Sequence, residues 1–152
     1  MKVLFVCLGN ICRSPLAEAI FKEKVRKKGL ESEFQADSCG TSNYHIDDWP
    51  DDRTVKSANK NGVPINHLGR QLHKNDLEDF DLILAMDGSN YLNILRLSDE
   101  STKSKVKLMR DFDPKAKGDV PDPYYGTEKD FDEVFEILDR STEELLNRLT
   151  KK

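Results

Sequence analysis

The sequence predicts an α/β fold: a four-stranded parallel sheet flanked by helices, with a crowded loop after the first strand. Three observations predict it. Short apolar runs alternate with stretches of helical period along the whole chain, the β-α-β order that builds a parallel sheet covered on both faces. The closing segment carries one apolar face at helical spacing over about twenty residues. The first apolar run empties into a turn, V-C-L-G-N-I-C-R-S-P, at the end of a strand, where open α/β sheets bind their ligands.

Taken in order, Lys2 to Val6 reads as the first strand. Ser14 followed by Pro15 is a helix-start signal, since Ser can cap and Pro at the first helical position loses no needed N–H. That helix is expected over Pro15 to Lys28. Further strands are expected at Glu33 to Ala36, Leu82 to Ala85 and Lys105 to Leu108, with helices at about Arg53 to Asn61 and Ser89 to Leu97. The last helix, from about Thr127, puts Phe131, Val134, Phe135, Leu138, Leu145 and Leu149 on one face. Two polar stretches, Cys39 to Asp52 and Asp111 to Gly126, exceed ordinary connections, and loops of that length in compact domains are often functional. No repeat, low-complexity tract or linker divides the chain, so residues 1 to 152 are expected to form one domain.

The crowded turn has a chemical reading. Unpaired amides from Leu8 to Ser14, together with the dipole of the next helix, form a nest for an anion. Gly9 lets the backbone curl, and the Arg13 guanidinium can hold two phosphate oxygens at once. Cys7 opens the turn, and the field that attracts phosphate also favours a thiolate, which makes Cys7 a nucleophile in attack position. Zinc binding by Cys7, Cys12 and Cys39 is a poorer reading, because the spacing is loose and no adjacent His completes the set. No metal and no cofactor is expected.

Composition removes other classes. The net charge of −4, with Lys and Arg interspersed among Asp and Glu, argues against nucleic acid as a partner. The opening apolar run is too short for a signal peptide, and no stretch suits a membrane span. Three cysteines are too few for a disulfide framework, which points to the cytoplasm, with export by an unconventional route left open.

V-L-F-V-C-L-G-N-I-C-R-S-P-L-A-E-A-I-F resembles the N-terminal signature of the low-molecular-weight protein tyrosine phosphatases. The likeness continues through A-D-S-C-G-T-S-N-Y-H, L-I-L-A-M-D-G-S-N and D-P-Y-Y-G-T-E-K-D-F-D-E-V-F-E-I-L, nearly the whole chain. It implies cofactor-free hydrolysis of phosphotyrosine in proteins through a phosphocysteine intermediate, with a cognate tyrosine kinase among the implied partners. A monomer or weak dimer is expected.

By position, the resemblance makes Cys7 the nucleophile and Arg13 the phosphate clamp, with Leu8, Gly9, Asn10, Ile11, Cys12 and Ser14 completing the loop. Asn10 and Ser14 then support the loop and its thiolate, and Ser38 and His67 back them. His45 and His73 get no role. The leaving tyrosyl oxygen needs a proton and the intermediate a base for water, and one carboxyl can serve both. Composition cannot choose it; Asp122, held between two prolines, matches the acid of the family's Asp-Pro-Tyr-Tyr motif, with Asp119 as the structural alternative. Tyr44 and Tyr124 are the expected aromatic walls, Trp49 covers the loop or widens its rim, and the resemblance makes Tyr125 a site of phosphorylation or self-association. Arsenate reductases of this fold need two further mid-chain cysteines, and no cysteine follows Cys39. Protein-arginine phosphatases carry Thr where this chain has Ile11.

Finally, Cys12 is expected to protect Cys7 from oxidation as a redox partner five positions away.

Overall fold

The structure, a computed structural model, describes residues 1–151. Strands β1 (Lys2–Cys7), β2 (Gln35–Gly40), β3 (Leu82–Ala85) and β4 (Val106–Leu108) form one parallel sheet in the order β2-β1-β3-β4. The helices are α1 (Arg13–Lys27), α2 (Asp52–Lys60), α3 (Lys74–Asp79), α4 (Gly88–Leu95) and α5 (Glu128–Thr150). No helix among the described residues is long and apolar enough to cross a membrane.

The β1 residues explain the layering. In a strand successive side chains point to opposite faces, and all of Val3 to Cys7 are buried. Val3, Phe5 and Cys7 therefore join one core, with Leu16, Ile20 and Phe21 of α1 and Val134, Leu138 and Leu145 of α5. Leu4 and Val6 join the other, with Leu77 of α3 and Ile94 of α4. Burial of each such side chain contributes about 1.5–3 kcal/mol. β1 runs through the middle of the sheet, and the loop after Cys7 emerges between the two cores.

Several expectations shift. β2 is displaced: it covers Gln35–Gly40 instead of Glu33 to Ala36, and Cys39, expected to open a loop, is fully buried in it. Q-A-D-S-C-G has little strand character of its own, and pairing with β1, Lys2↔Gln35 through Cys7↔Gly40, holds it extended. α1 begins at Arg13, and its N-cap, Cys12, makes no side-chain capping bond. Ser14 is thus inside the helix, and Pro15 still falls in the first turn, where amides have no intrahelical partner. The helix α3 was not expected. Its signal was local: His73 and Asp76 form a capping box, with Asn75 N–H donating to His73 Nδ1 at 3.2 Å and His73 N–H to Asp76 Oδ2 at 2.8 Å. The fourth helix starts one residue early, with Asp87 as its cap. The closing helix begins after Thr127 as expected, with Phe131, Val134, Phe135, Leu138 and Leu145 buried.

The candidate active site

Residues 8 to 12 fold into a loop whose curl comes from Asn10, not Gly9. Asn10 has φ 57°, the left-handed conformation, whereas Gly9 has no positive φ. Asn10 is 1 % exposed and all of its side chain is used. Nδ2 donates to Ser14 Oγ at 2.8 Å and to Ser38 Oγ at 3.0 Å, while Oδ1 accepts from Arg70 N–H at 3.1 Å and from His67 Nε2 at 2.7 Å. The loop also lies directly on Gly40, where an added Cβ would sit 2.6 Å from the Leu8 carbonyl.

Cys7 Sγ sits under this loop, 3.0 Å from Ser14 Oγ and 3.3 Å from the Asn10 N–H that donates to it. Ser14 Oγ in turn reaches the Cys39 carbonyl at 3.3 Å. A hydroxyl and a donating amide thus lie against the sulfur, and the first-turn amides of α1 add the positive end of its dipole.

Arg13 is the other fixed charge. Its side chain is almost wholly buried; Nη1 donates to Asp87 Oδ2 at 2.7 Å and to the Val120 carbonyl at 3.0 Å, and Nη2 lies 3.7 Å from Asp122 Oδ2. Burial opposes the charge, but Cys7, Asp87 and Asp122 outweigh it and hold Arg13 above its ordinary range. The guanidinium is held on one edge by Asp87 and Val120. Asp122 is half exposed, and its Oδ1 accepts from Tyr124 N–H at 3.1 Å. Cys7, Arg13 and Asp122 line one cleft of about 310 Å³, with Leu8, Ile11, Tyr44 and Tyr124 among its walls. Such a site can hold a phosphoryl group against a sulfur nucleophile while a carboxyl faces the leaving oxygen.

Residues 2–152 match the family model described as low molecular weight phosphotyrosine protein phosphatase. The chain belongs to that family. It is 46 % identical over 137 residues to a low molecular weight phosphotyrosine protein phosphatase of Schizosaccharomyces pombe, covering 89 % of this chain and 88 % of the relative. The crystal structure of an Entamoeba histolytica protein tyrosine phosphatase with Hepes in its active site superposes with a TM-score of 0.95 at 42 % identity, covering 98 % of this chain and 96 % of that one. A Drosophila arginine phosphatase superposes at 0.93 with 33 % identity, covering 100 % and 99 %.

Within this phosphatase fold, Ser38 and His67 do lie behind the loop. Ser38 Oγ–H donates to Glu18 Oε1 at 2.6 Å, and His67 Nδ1 is 3.2 Å from the same oxygen. Because Asn10 Oδ1 can only accept, His67 Nε2 carries a hydrogen. The short Nδ1···Oε1 contact then needs one proton between imidazole and carboxyl. Burial lowers the His67 imidazole from its ordinary value, while Glu18 and Asp37 pull the other way. Glu18, Asp37 and His67 bring three possible metal ligand atoms within 4.8 Å of one another, yet Lys22 at 2.6 Å from Glu18 and Arg70 at 2.9 Å from Asp37 already balance the carboxylates. The zinc reading of the three cysteines fails on the fold: Cys39 belongs to the core across the sheet from Cys7.

The sequence reading missed four residues. Glu18, given no role from the sequence, is 3 % exposed and accepts from Ser38 behind the loop. Asp87, given no role from the sequence, caps α4 and holds Arg13. His45 lines the cleft, with its Nδ1 3.0 Å from Asp48 Oδ2. Arg53 donates to the Tyr124 carbonyl at 2.9 Å, and its guanidinium lies 5.6 Å from the Tyr124 ring centre. Tyr125 is 96 % exposed and packs edge-on against Tyr124, with ring centres 4.9 Å apart. Trp49 is exposed and lines an adjoining groove with Ile11 and His45 instead of the cleft. Asp119 accepts from Gly88 N–H at 3.0 Å, a bond that ties its loop to α4.

Proposed function

We propose that this chain hydrolyses phosphotyrosine in proteins through a phosphocysteine intermediate on Cys7. The observation that carries the reading is the convergence of a buried sulfur, a buried guanidinium and a half-exposed carboxyl on one cleft. The Cys7 thiolate, supported by Ser14 Oγ and the Asn10 amide, attacks phosphorus. Loop amides and Arg13 hold the equatorial oxygens, where negative charge develops. Asp122 gives its proton to the departing phenolic oxygen, then accepts one from the water that cleaves the S–P bond and releases phosphate. Tyr44 and Tyr124 flank the aryl ring, and the recessed sulfur favours a long aryl phosphate over a serine phosphate.

A second reading is phosphoarginine, which the Drosophila relative's name raises. Ile11 on the loop and aromatic walls on both sides favour a phenyl ring here. The test compares phosphotyrosine and phosphoarginine peptides, p-nitrophenyl phosphate and phenyl phosphate, with EDTA present. Turnover of the phosphotyrosine peptide should survive chelation and vanish in Cys7→Ser. Asp122→Asn should slow phenyl phosphate by about 10²–10⁴-fold and p-nitrophenyl phosphate much less. Equal losses on both would remove Asp122 from the proton transfer, and preference for phosphoarginine would replace the substrate class.

A further inference from the structure

Two grooves leave the cleft, and they carry opposite charge. One passes Ile11 and His45 to Trp49 and is walled by Asp48, Asp51 and Asp52, with Arg53 paired to Asp51 at 2.9 Å, so its net charge is negative. The other, about 680 Å³, passes Leu8 and Tyr44 and closes against Gln71, Asn93, Arg96 and Leu97. Among the described residues, Arg96 is the only charged one lining this second groove. Its Nη1 donates to the uncharged Asn93 Oδ1 at 2.7 Å, and among the described residues no carboxylate lies within salt-bridge reach of it. An exposed cation without a counter-ion, at the end of a groove continuous with the catalytic cleft, is complementary to an anion that arrives with the substrate.

We propose that this groove binds the chain flanking the phosphotyrosine and that Arg96 selects an acidic side chain there. The proposal rests on the phosphotyrosine phosphatase reading above. The groove's surface suits an extended peptide: side-chain amides of Gln71 and Asn93 can bond a backbone in either sense, and exposed Leu8 and Tyr44 offer apolar contact beside the cleft. The helix α4 sets the reach. Asp87, which holds Arg13, caps its start, and Arg96 comes directly after its last residue. Helical rise separates the two by roughly 14 Å, which an extended chain spans in about four residues. The length of the arginine side chain shortens the gap, so the selected acid lies about two to four positions from the phosphotyrosine. Asp48 and Asp52 of the opposite groove, where Arg53 already pairs Asp51, repel the same side chain, which makes the preference one-sided.

The test measures kcat/KM for p-nitrophenyl phosphate and for phosphotyrosine peptides in which a single Asp, or a single Lys, is moved through about four positions on either side. Wild type, Arg96→Gln and Arg96→Glu are compared at low and high salt. Wild type should favour Asp at about two to four positions on one side only. Arg96→Glu should cost that peptide about fivefold to tenfold, mainly in KM, with a smaller loss in Arg96→Gln, and high salt should shrink both. Turnover of p-nitrophenyl phosphate should not change. An Asp scan that is flat in the wild type, or equal losses on every peptide, would overturn the assignment and leave the phosphatase reading standing. Turnover of p-nitrophenyl phosphate with none of any phosphotyrosine peptide would overturn both.

Discussion

Asn10 holds the loop through geometry that no other side chain supplies. A left-handed φ costs an ordinary residue about 1 kcal/mol or more, and Asn tolerates it while offering two donors and an acceptor. Here all of these are used: toward Ser14 and Ser38 on one side, and from His67 and Arg70 on the other. Cys12 is the contrasting residue. It packs with Ile11 and Phe131, and burial pushes its thiol up to about 12. Attack on an oxidised Cys7 would need a Cys12 thiolate: the Cys7 sulfenic acid and the Cys12 thiol would give a disulfide and water. Trapping should therefore quicken as pH rises from neutral toward 12. Peroxide should inactivate wild type reversibly, with phosphate slowing the loss, whereas Cys12→Ser should keep turnover but recover poorly with dithiothreitol. Full recovery of the variant would reduce Cys12 to packing.

At the scale of elements, the loop that carries Asp122 is braced from below. Asp113 begins it and has no exposed side-chain surface; its carboxylate accepts from Arg110 Nε at 2.9 Å and from Arg140 of α5 at 2.8 Å and 3.1 Å. Arg110 also holds the Ala116 and Asp119 carbonyls at 3.1 Å and 3.0 Å. Burial raises the Asp113 carboxyl, but the two arginines and the Lys115 N–H prevail and hold it well below the usual carboxylate range. A depressed folded pKa means stability that is fully present above the unfolded value, about 3.9, and lost as pH falls further. Asp113→Asn should lose about 3 kcal/mol at neutral pH, and its deficit against wild type should shrink below about pH 4. Urea unfolding across pH checks this; a deficit that stays constant into acid would mean that the carboxylate's charge contributes nothing.

For the molecule as a whole, sheet order decides what the loop meets. With β1 between β2 and β3, Cys7 lies beside Gly40, and the segments after β1, β2 and β3 open at one end of the sheet. Arg13 draws on three separate parts of the chain at once through Cys7, Asp87 and Val120. Anion binding should consequently stabilise the entire fold. In Cys7→Ser, phosphate at about 100 times its Kd should add about 2.7 kcal/mol, roughly 5–10 °C in Tm, and Arg13→Ala should abolish the shift. An equal shift in the arginine variant would place the anion elsewhere.

Much of this was legible because it is local. The first strand, the turn of polar and small residues, the start of the last helix near Thr127 and the apolar face of α5 each depend on residues a few positions apart, where steric preference and period act directly. By itself the sequence determined the α/β class and, through its family resemblance, Cys7, Arg13 and Asp122 as the proposed reacting groups. The position of β2 was not legible, since Q-A-D-S-C-G becomes a strand only against β1. Glu18 and Asp87 were hidden for a related reason. Arg13 meets Asp87 across 74 residues and Glu18 meets Ser38 across 20. Only the tertiary structure decided those pairings, because parallel crossovers bring distant segments to one sheet end, and a buried polar group takes whichever partner the packing leaves beside it.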